Sequence, residues 1–388
     1  MRNSFLAFGS PLIEQPEIDE VVASLKTGWL STGPKVRKFE DLFREYKRTK
    51  YALGLNSCTA GLHLSLLVIG IKPGDEVIVP TMTFCATANV VTHIGAKPVF
   101  ADCKKDTMNI DPKDIERKIT SKTKAIILVH FAGRACEMDT IMDIAKKHNL
   151  KVIEDCAHAI ETEYHNEKAG TLGEVGCFSL YVTKNIITGE GGMAITNNDE
   201  YAKQIKILGL HGMSEHAYER FGDKGYKHYQ VLYAGFKYNM MDLQAAIGMH
   251  QLPRVNKYWE RREEIWNKYN IAFKGLPVLV PAAIEPNTKH AYHLYTLLLD
   301  IDKLTISRDD FLIKMRQRNI GVGVHFIALH LHPYYSQTFG VKRGDFPNAE
   351  WISERTISLP LSAKLTDADV EDVIEAVKDI IICSSQRK

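Results

Sequence analysis

The chain has 388 residues, 45% of them hydrophobic and 25% charged, with a formal net charge of +2. This is the make-up of an ordinary soluble globular protein, long enough for two domains with a core each. The near-neutral balance excludes a global field for nucleic acid or an anionic membrane, so any anionic ligand must be met by local groups.

No apolar run approaches the roughly 20 residues that span a bilayer. The opening Met1-Arg-Asn-Ser-Phe-Leu-Ala-Phe-Gly-Ser-Pro lacks the long apolar core of a secretory signal. The seven cysteines (58, 85, 103, 136, 156, 177 and 383) are scattered, and no pair has C-x-x-C spacing. That argues against a disulfide framework or a zinc knuckle and fits a reducing cytoplasm.

Ile18 to Leu25 carries apolar residues at helical spacing and is stopped by Gly28. Val36 to Tyr46 reads as a second helix, and Tyr51-Ala-Leu-Gly-Leu as a short strand. Ala60 to Ile69 is apolar and helical, just after Asn56-Ser-Cys-Thr. Strands are predicted at Glu76-Val-Ile-Val-Pro, Pro98-Val-Phe-Ala, Ala125-Ile-Ile-Leu-Val, Lys151-Val-Ile-Glu and Met193-Ala-Ile-Thr. Helical stretches lie between them at 84–94, 112–119 and 137–148. Short apolar strands separated by helices predict an α/β fold with a mostly parallel sheet covered on both faces. The character changes near Leu252, giving expected domains at 1–252 and 253–388. In the second, helices are predicted at Arg254–Phe273, Arg308–Arg318, Glu350–Thr356 and Ala368–Ile381, with strands at Ala291–Leu299 and Val322–Phe326. That mix suits a small α+β domain.

Several stretches invite chemical readings. Asn56-Ser-Cys-Thr-Ala-Gly falls between a strand and a helix, where free N–H groups at a positive helix end suit a phosphate. An ordinary N-cap by Ser57 or Thr59 is the alternative. Gly189-Glu-Gly-Gly is not a dinucleotide fingerprint, because the G-x-G-x-x-G spacing is missing and a strand follows. Phe84 sits just past a strand end, where ligands bind in open α/β sheets, although a core aromatic is the commoner use. His325, His330 and His332 match no zinc spacing; one of them is a candidate substrate contact.

Taken together these stretches resemble the DegT/DnrJ/EryC1/StrS family of sugar aminotransferases. The matching segments include Thr27-Gly-Trp-Leu-Ser-Thr-Gly-Pro-Lys, Pro73-Gly-Asp-Glu-Val-Ile-Val-Pro-Thr and Gly95-Ala-Lys-Pro-Val-Phe. They continue through Glu154-Asp-Cys-Ala-His-Ala, Phe178-Ser, Thr183-Lys-Asn, Gly189-Glu-Gly-Gly, Gly235-Phe-Lys-Tyr-Asn and Asp242-Leu-Gln-Ala-Ala. Gly28-Trp, His290-Ala-Tyr-His and Val322-Gly-Val-His-Phe are similar to members that make UDP-4-amino-4-deoxy-L-arabinose. Glu137-Met-Asp-Thr-Ile-Met is similar instead to those that make dTDP-4-amino-4,6-dideoxygalactose.

The resemblance implies the aspartate-aminotransferase type I fold and pyridoxal 5′-phosphate (PLP) as cofactor. Lys184 would hold PLP covalently, and Asp155 would keep the ring nitrogen protonated. His158, where many members have Gln, would lie near the ring's O3′, and Phe84 would stack on its face. The Cys58 backbone N–H, Thr59 and Ser179 would hold the phosphate. Lys237 stands where many members have an Asn that reaches the partner subunit's phosphate, so a homodimer with sites at its interface is implied. Trp29, Lys35 and His325 are the candidates on the substrate side. The implied reaction moves an amino group from L-glutamate, leaving 2-oxoglutarate, to a nucleotide-linked 4-keto sugar. Amination of a 3-keto sugar and a non-catalytic regulator on the same fold are the alternatives. Members that act as dehydratases carry His in place of the lysine, and Lys184 speaks against that role.

Overall fold

The computed structural model describes residues 2–214 and 228–385. Helices α1 (Gln15–Thr27) and α2 (Pro34–Lys47) open the chain. Each has a proline in its first turn, where a missing N–H costs nothing, and each ends on a left-handed residue, Gly28 or Arg48. Then follow β1 (Tyr51–Leu55), α3 (Cys58–Val68), β2 (Glu76–Pro80), α4 (Ala86–His93), β3 (Lys97–Ala101), α5 (Pro112–Lys118), β4 (Thr123–Val129), α6 (Met138–His148) and β5 (Lys151–Asp155). A short hairpin, β6 (Glu163–Tyr164) and β7 (Glu167–Lys168), leads to β8 (Val175–Ser179), β9 (Gly192–Thr196), α7 (Asp199–Leu208) and α8 (Asp242–Gln251).

Seven of these strands form one sheet in the order β1-β9-β8-β5-β4-β2-β3. The β3-β2-β4-β5-β8 ladder is parallel throughout, and β9 alone runs against its neighbours β8 and β1. Alternate residues of each strand serve opposite faces, as the two-residue period requires. Val77, Val79, Ala125 and Ile127 pack with α3 and α4. Ile78, Ile126 and Leu128 pack with α5 and α6 on the other side. The expected doubly covered parallel sheet is therefore present.

The rest of the chain comprises α9 (Val255–Ala272), β10 (Val278–Leu279), β11 (Thr288–Lys289), β12 (Tyr295–Leu299), α10 (Arg308–Gln317), α11 (Pro333–Phe339), α12 (Pro347–Ser353), β13 (Thr356–Leu359) and α13 (Asp367–Ser384). Strands β10, β12 and β13 make a small antiparallel sheet, and β11 joins the hairpin β6-β7. A separate core forms around Trp266, Tyr269, Tyr295, Phe311, Ile357 and Val377. Tyr335, Phe346, Ala349 and Ile352 pack instead into the core of the large sheet, so α11 and α12 tie the two parts together.

Three local expectations are corrected. Val322–Phe326 is not a strand; only Gly323 makes a bridge, to Ser358, and the following residues turn toward the mouth of the sheet. Glu350–Thr356 is not one helix: α12 ends at Ser353, and the β-branched Thr-Ile begins β13. The predicted strand at Ala291–Leu299 is regular only from Tyr295. Among the described residues no helix is long and apolar enough to cross a membrane.

Candidate active site

The carboxyl ends of β1, β5 and β8 and the loop after β2 open on one cavity of about 490 Å³. Ligands in open α/β sheets bind at this edge. Because β9 is reversed, its amino end, Gly191-Gly192, arrives at the same place. Cys58, Thr59, Phe84, Asp155, His158, Ser179, Lys184 and His325 all line this cavity. Residues as far apart in sequence as Cys58 and His325 are thereby brought together.

Asp155 is the last residue of β5 and is buried. Its Oδ2 accepts a hydrogen bond from the Thr87 hydroxyl (2.9 Å) and its Oδ1 one from the Ala157 N–H (3.1 Å). The Cys58 thiol lies 3.8 Å from Oδ1. None of these partners is a cation. Burial pushes the carboxyl above its usual range, opposed by those hydrogen bonds and by the charge of Lys184. The preceding residue, Glu154, points to the other face. It accepts from the N–H groups of Gly170, Leu172 and Gly173 and from His130 Nε2 at 2.9 Å. His130, Glu154 and Cys156 sit close enough to suggest a metal cluster. Yet the Glu154 oxygens are already taken by N–H donors, so this group fixes the loop after β7 onto β5.

Lys184 follows β8 and is half-buried. Burial pulls its amine down to about 8, against the nearby Asp155 carboxyl, which pulls it up. An amine in that range is partly uncharged near neutrality, which a nucleophilic lysine requires. His158 is buried, and its Nδ1 accepts from the Ala132 N–H at 3.3 Å. Burial holds the ring neutral, so the hydrogen resides on Nε2 and can be donated into the cavity. Phe84 is 60% exposed, with its ring 6.2 Å from that of Phe326. An aromatic this exposed at a cavity mouth is suited to stacking rather than to core packing.

Both readings of the Asn56–Thr59 stretch hold at once. Ser57 caps α3 through the Ala60 N–H at 3.1 Å. The remaining first-turn N–H groups lie at the end of the helix that meets the cavity, and Thr59 and Ser179 line it there. Gly192 makes this loop possible: a Cβ there would stand 2.2 Å from the Ser57 carbonyl carbon and 2.5 Å from the Cys58 nitrogen. We predict that Gly192→Ala displaces the loop at a cost of about 1–3 kcal/mol. Lower thermal stability with weaker PLP retention is the expected outcome; unchanged retention in dialysis would count against a phosphate role for the loop.

Three proposed residues do not line the cavity of one protomer. Trp29 is 50% exposed and donates Nε1–H to the Thr32 carbonyl. Lys35 is bound by Glu20, through an ion pair at 2.5 Å and the backbone oxygen at 2.8 Å. Lys237 is placed beside the loop by its carbonyl, which accepts from Asn56 Nδ2 at 3.3 Å. Of the three histidines, only His325 lines the cavity. Its Nδ1 pairs with the Ser358 hydroxyl at 2.8 Å, and burial, with the charge of Lys184, pulls it down to about 4. His330 is buried between Thr81 and Glu350, and His332 is exposed. Sequence reasoning missed Thr87 and His293. The signal for His293 was present in His290-Ala-Tyr-His, but that stretch was read only as a likeness.

The donor set fits PLP. A buried carboxylate without a cationic partner matches a pyridinium N–H. A neutral imidazole N–H matches a phenolic oxygen, a helix terminus matches a phosphate, and a lysine amine of lowered basicity matches an aldehyde. Comparison with known proteins agrees. The chain is 53% identical over 381 residues to the protein MJ1066 of Methanocaldococcus jannaschii, covering 98% of this chain and 99% of that one. It is 48% identical to the spore coat polysaccharide biosynthesis protein SpsC of Bacillus subtilis, covering 98% of each. Its structure matches Spr1654 of Streptococcus pneumoniae, named as a sugar aminotransferase and solved in its PLP form. The TM-score is 0.91 at 32% identity, over 98% of this chain and 99% of that one. The model of the DegT/DnrJ/EryC1/StrS aminotransferase family matches residues 11–378. The chain belongs to that family, a group of PLP-dependent aminotransferases of fold type I.

Proposed function

We propose that the protein transfers the amino group of L-glutamate to a nucleotide-linked 4-keto sugar in the synthesis of a surface polysaccharide or a related amino sugar. The observation that carries this reading is the convergence of Lys184, Asp155, His158 and His325 on one cavity. The names of SpsC and Spr1654 support a sugar as the acceptor. When bound, PLP supplies an electron sink that lets a C–H bond next to nitrogen ionise. Lys184 Nζ takes the proton from the donor's α-carbon and later returns one to the sugar carbon. Asp155 keeps a proton on the ring nitrogen, and His158 Nε2–H holds the phenolic oxygen. The N–H groups of Cys58 and Thr59 with the Ser179 hydroxyl anchor the phosphate. Donor and acceptor use one site in turn, so ping-pong kinetics are expected.

Residues 1–252 would carry the cofactor, and 253–388 would close the substrate side through His325. Ile18, Val22 and Leu25 of α1, with Leu30, Val231 and Leu232, are exposed apolar residues that suit a second copy of the chain. In such a dimer Trp29, Lys35 and Lys237 would serve the neighbouring site. Assay with glutamate against UDP-, dTDP- and GDP-linked 4-keto and 3-keto sugars tests the reading; amination of 3-keto sugars alone would overturn it. His325→Ala is expected to slow the sugar half-reaction far more than the glutamate half-reaction, on the order of 10²-fold. Single-turnover absorbance separates the two, and equal loss in both would make His325 structural.

A further inference from the structure

The Asp155 carboxylate stands at the end of a short run of hydroxyls. Thr83 and Thr87 are four residues apart, where the chain leaves β2 and enters α4. The Thr87 N–H donates to the Phe84 carbonyl at 3.3 Å, so the backbone is already turning there and brings the two side chains together. Both threonines are buried, whereas Phe84 between them is 60% exposed and lines the cavity. The two hydroxyl oxygens lie 2.9 Å apart, and that of Thr87 lies 2.9 Å from Asp155 Oδ2. The segment that presents the Phe84 ring therefore also reaches Asp155, 68 residues beyond Thr87.

The direction of the hydrogens follows from counting them. A hydroxyl has one hydrogen, and an ionised carboxylate has none. Thr87 gives its hydrogen to Oδ2, so between the two threonines Thr83 must be the donor. The chain runs from Thr83 to Thr87 to Asp155, with each hydrogen pointing toward the carboxylate. A proton on Oδ2 would force the chain to turn round. Among the described residues Thr87 is the one donor to Oδ2. Oδ1 takes the Ala157 N–H at 3.1 Å and, at 3.8 Å, the Cys58 thiol, a weak donor.

We infer that Thr87 is a positioning residue for Asp155, and Thr83 one for Thr87: the ordered pair fixes Oδ2 in one orientation and favours the charged carboxylate over the neutral acid. The inference rests on the proposed role of Asp155 toward the cofactor, because a carboxyl that keeps its own proton leaves the ring nitrogen uncharged. The groups around Asp155 give its charge little other support. They are Cys58 on α3, Cys177 on β8, the adjacent Glu154 and Cys156, Lys184 after β8 and His130 after β4. Of these, Lys184 and His130 favour the charge, and burial works against it.

The test is thermal melting of the cofactor-free full-length protein from neutral to acid pH. Thr87→Val removes the hydroxyl at nearly constant volume. Losing this donor raises the Asp155 carboxyl further in the folded state, and a carboxyl raised by folding costs stability as pH climbs. At pH 7 the variant is therefore expected to melt several degrees below wild type. At acid pH Asp155 is protonated in both proteins, and the gap narrows. A threonine that only fills space would leave a gap that ignores pH. In an Asp155→Asn background the gap should also ignore pH. Thr87→Ser keeps the hydroxyl and should follow the wild-type pH dependence. Thr83→Val should show a smaller gap of the same sign, with no further pH dependence when added to Thr87→Val. With PLP bound, Thr87→Val is expected to lower turnover about tenfold and to leave KM for glutamate nearly unchanged. A pH-independent gap in Thr87→Val, or a pH-dependent one that survives Asp155→Asn, would overturn the inference. Should Thr87→Val fail to fold, Thr83→Val decides, and a gap there that ignores pH overturns it. Near-normal turnover in Asp155→Asn would sink the role of Asp155 and this inference with it, whereas a gap that ignores pH sinks only the role of the threonines.

Discussion

Lys184→Ala is expected to abolish turnover and to leave PLP held only by non-covalent contacts. The remaining lining can still take the phosphate, so a weakly coloured protein that loses cofactor on dialysis is the expected product. The loss has two parts. The covalent anchor goes, and so does the group that moves the proton. General acid–base catalysis alone contributes about 10²–10⁴-fold, so the fall in rate is at least of that order. Lys184→Arg should be nearly as poor, because a guanidinium is neither a nucleophile nor a base at neutral pH. The environment also predicts a pH dependence. Burial lowers the Lys184 amine to about 8, so its uncharged fraction, and with it PLP capture, rises as pH climbs through that value. Reduction with borohydride followed by peptide mapping should place the cofactor on Lys184. Label on another lysine would contradict the assignment.

The parallel sheet was legible because its strands are short apolar runs between helices. Tyr51–Leu55 and Glu76–Pro80 stand where they were expected. Buried strands leave little room for another reading, since every residue of Glu76–Pro80 lies inside the protein. The helix predicted from Ala60 starts at Cys58, because Ser57 caps it. Val322–Phe326 misled for the opposite reason. Valine and phenylalanine favour strands by how they pack, and here Phe326 packs against His158 and Phe131 at the cavity. Helices α7 and α8 went unassigned, although Asn198 caps α7 by accepting from the Glu200 and Tyr201 N–H groups. In the site, Lys184, Asp155 and the α3 loop were found through motif likeness. Thr87 and His293 could not be, because their roles exist only in space. The Thr87 hydroxyl meets Asp155, and His293 meets Asn185, across gaps of 68 and 108 residues. Lys35, picked out as an ammonium at the end of a family-like stretch, is paired with Glu20 within one protomer, a partner that the stretch itself does not reveal.

Asp155→Asn is expected to separate stability from activity. The amide can keep its oxygen toward the Ala157 N–H and turn its nitrogen to the Thr87 hydroxyl. Thr87 can adapt, since it also shares a hydrogen bond with the Thr83 hydroxyl at 2.9 Å. The fold should therefore tolerate the change. The sign of the stability effect follows from the raised carboxyl of Asp155. A carboxyl whose folded value lies above its unfolded one binds protons more readily in the native state. Its contribution to stability then falls as pH rises through the unfolded value and toward the folded one. At neutral pH Asp155 is a net cost to the cofactor-free protein, and the neutral amide removes that cost. Cofactor-free Asp155→Asn should melt no lower than wild type at pH 7, and the difference should shrink at low pH. Turnover should move the other way. A neutral amide cannot hold a proton on the ring nitrogen, and losing that preorganised charge is expected to slow the reaction on the order of 10²-fold or more. Near-normal turnover, or a large drop in melting temperature of the cofactor-free variant, would show that Asp155 is there for the fold and not for the ring.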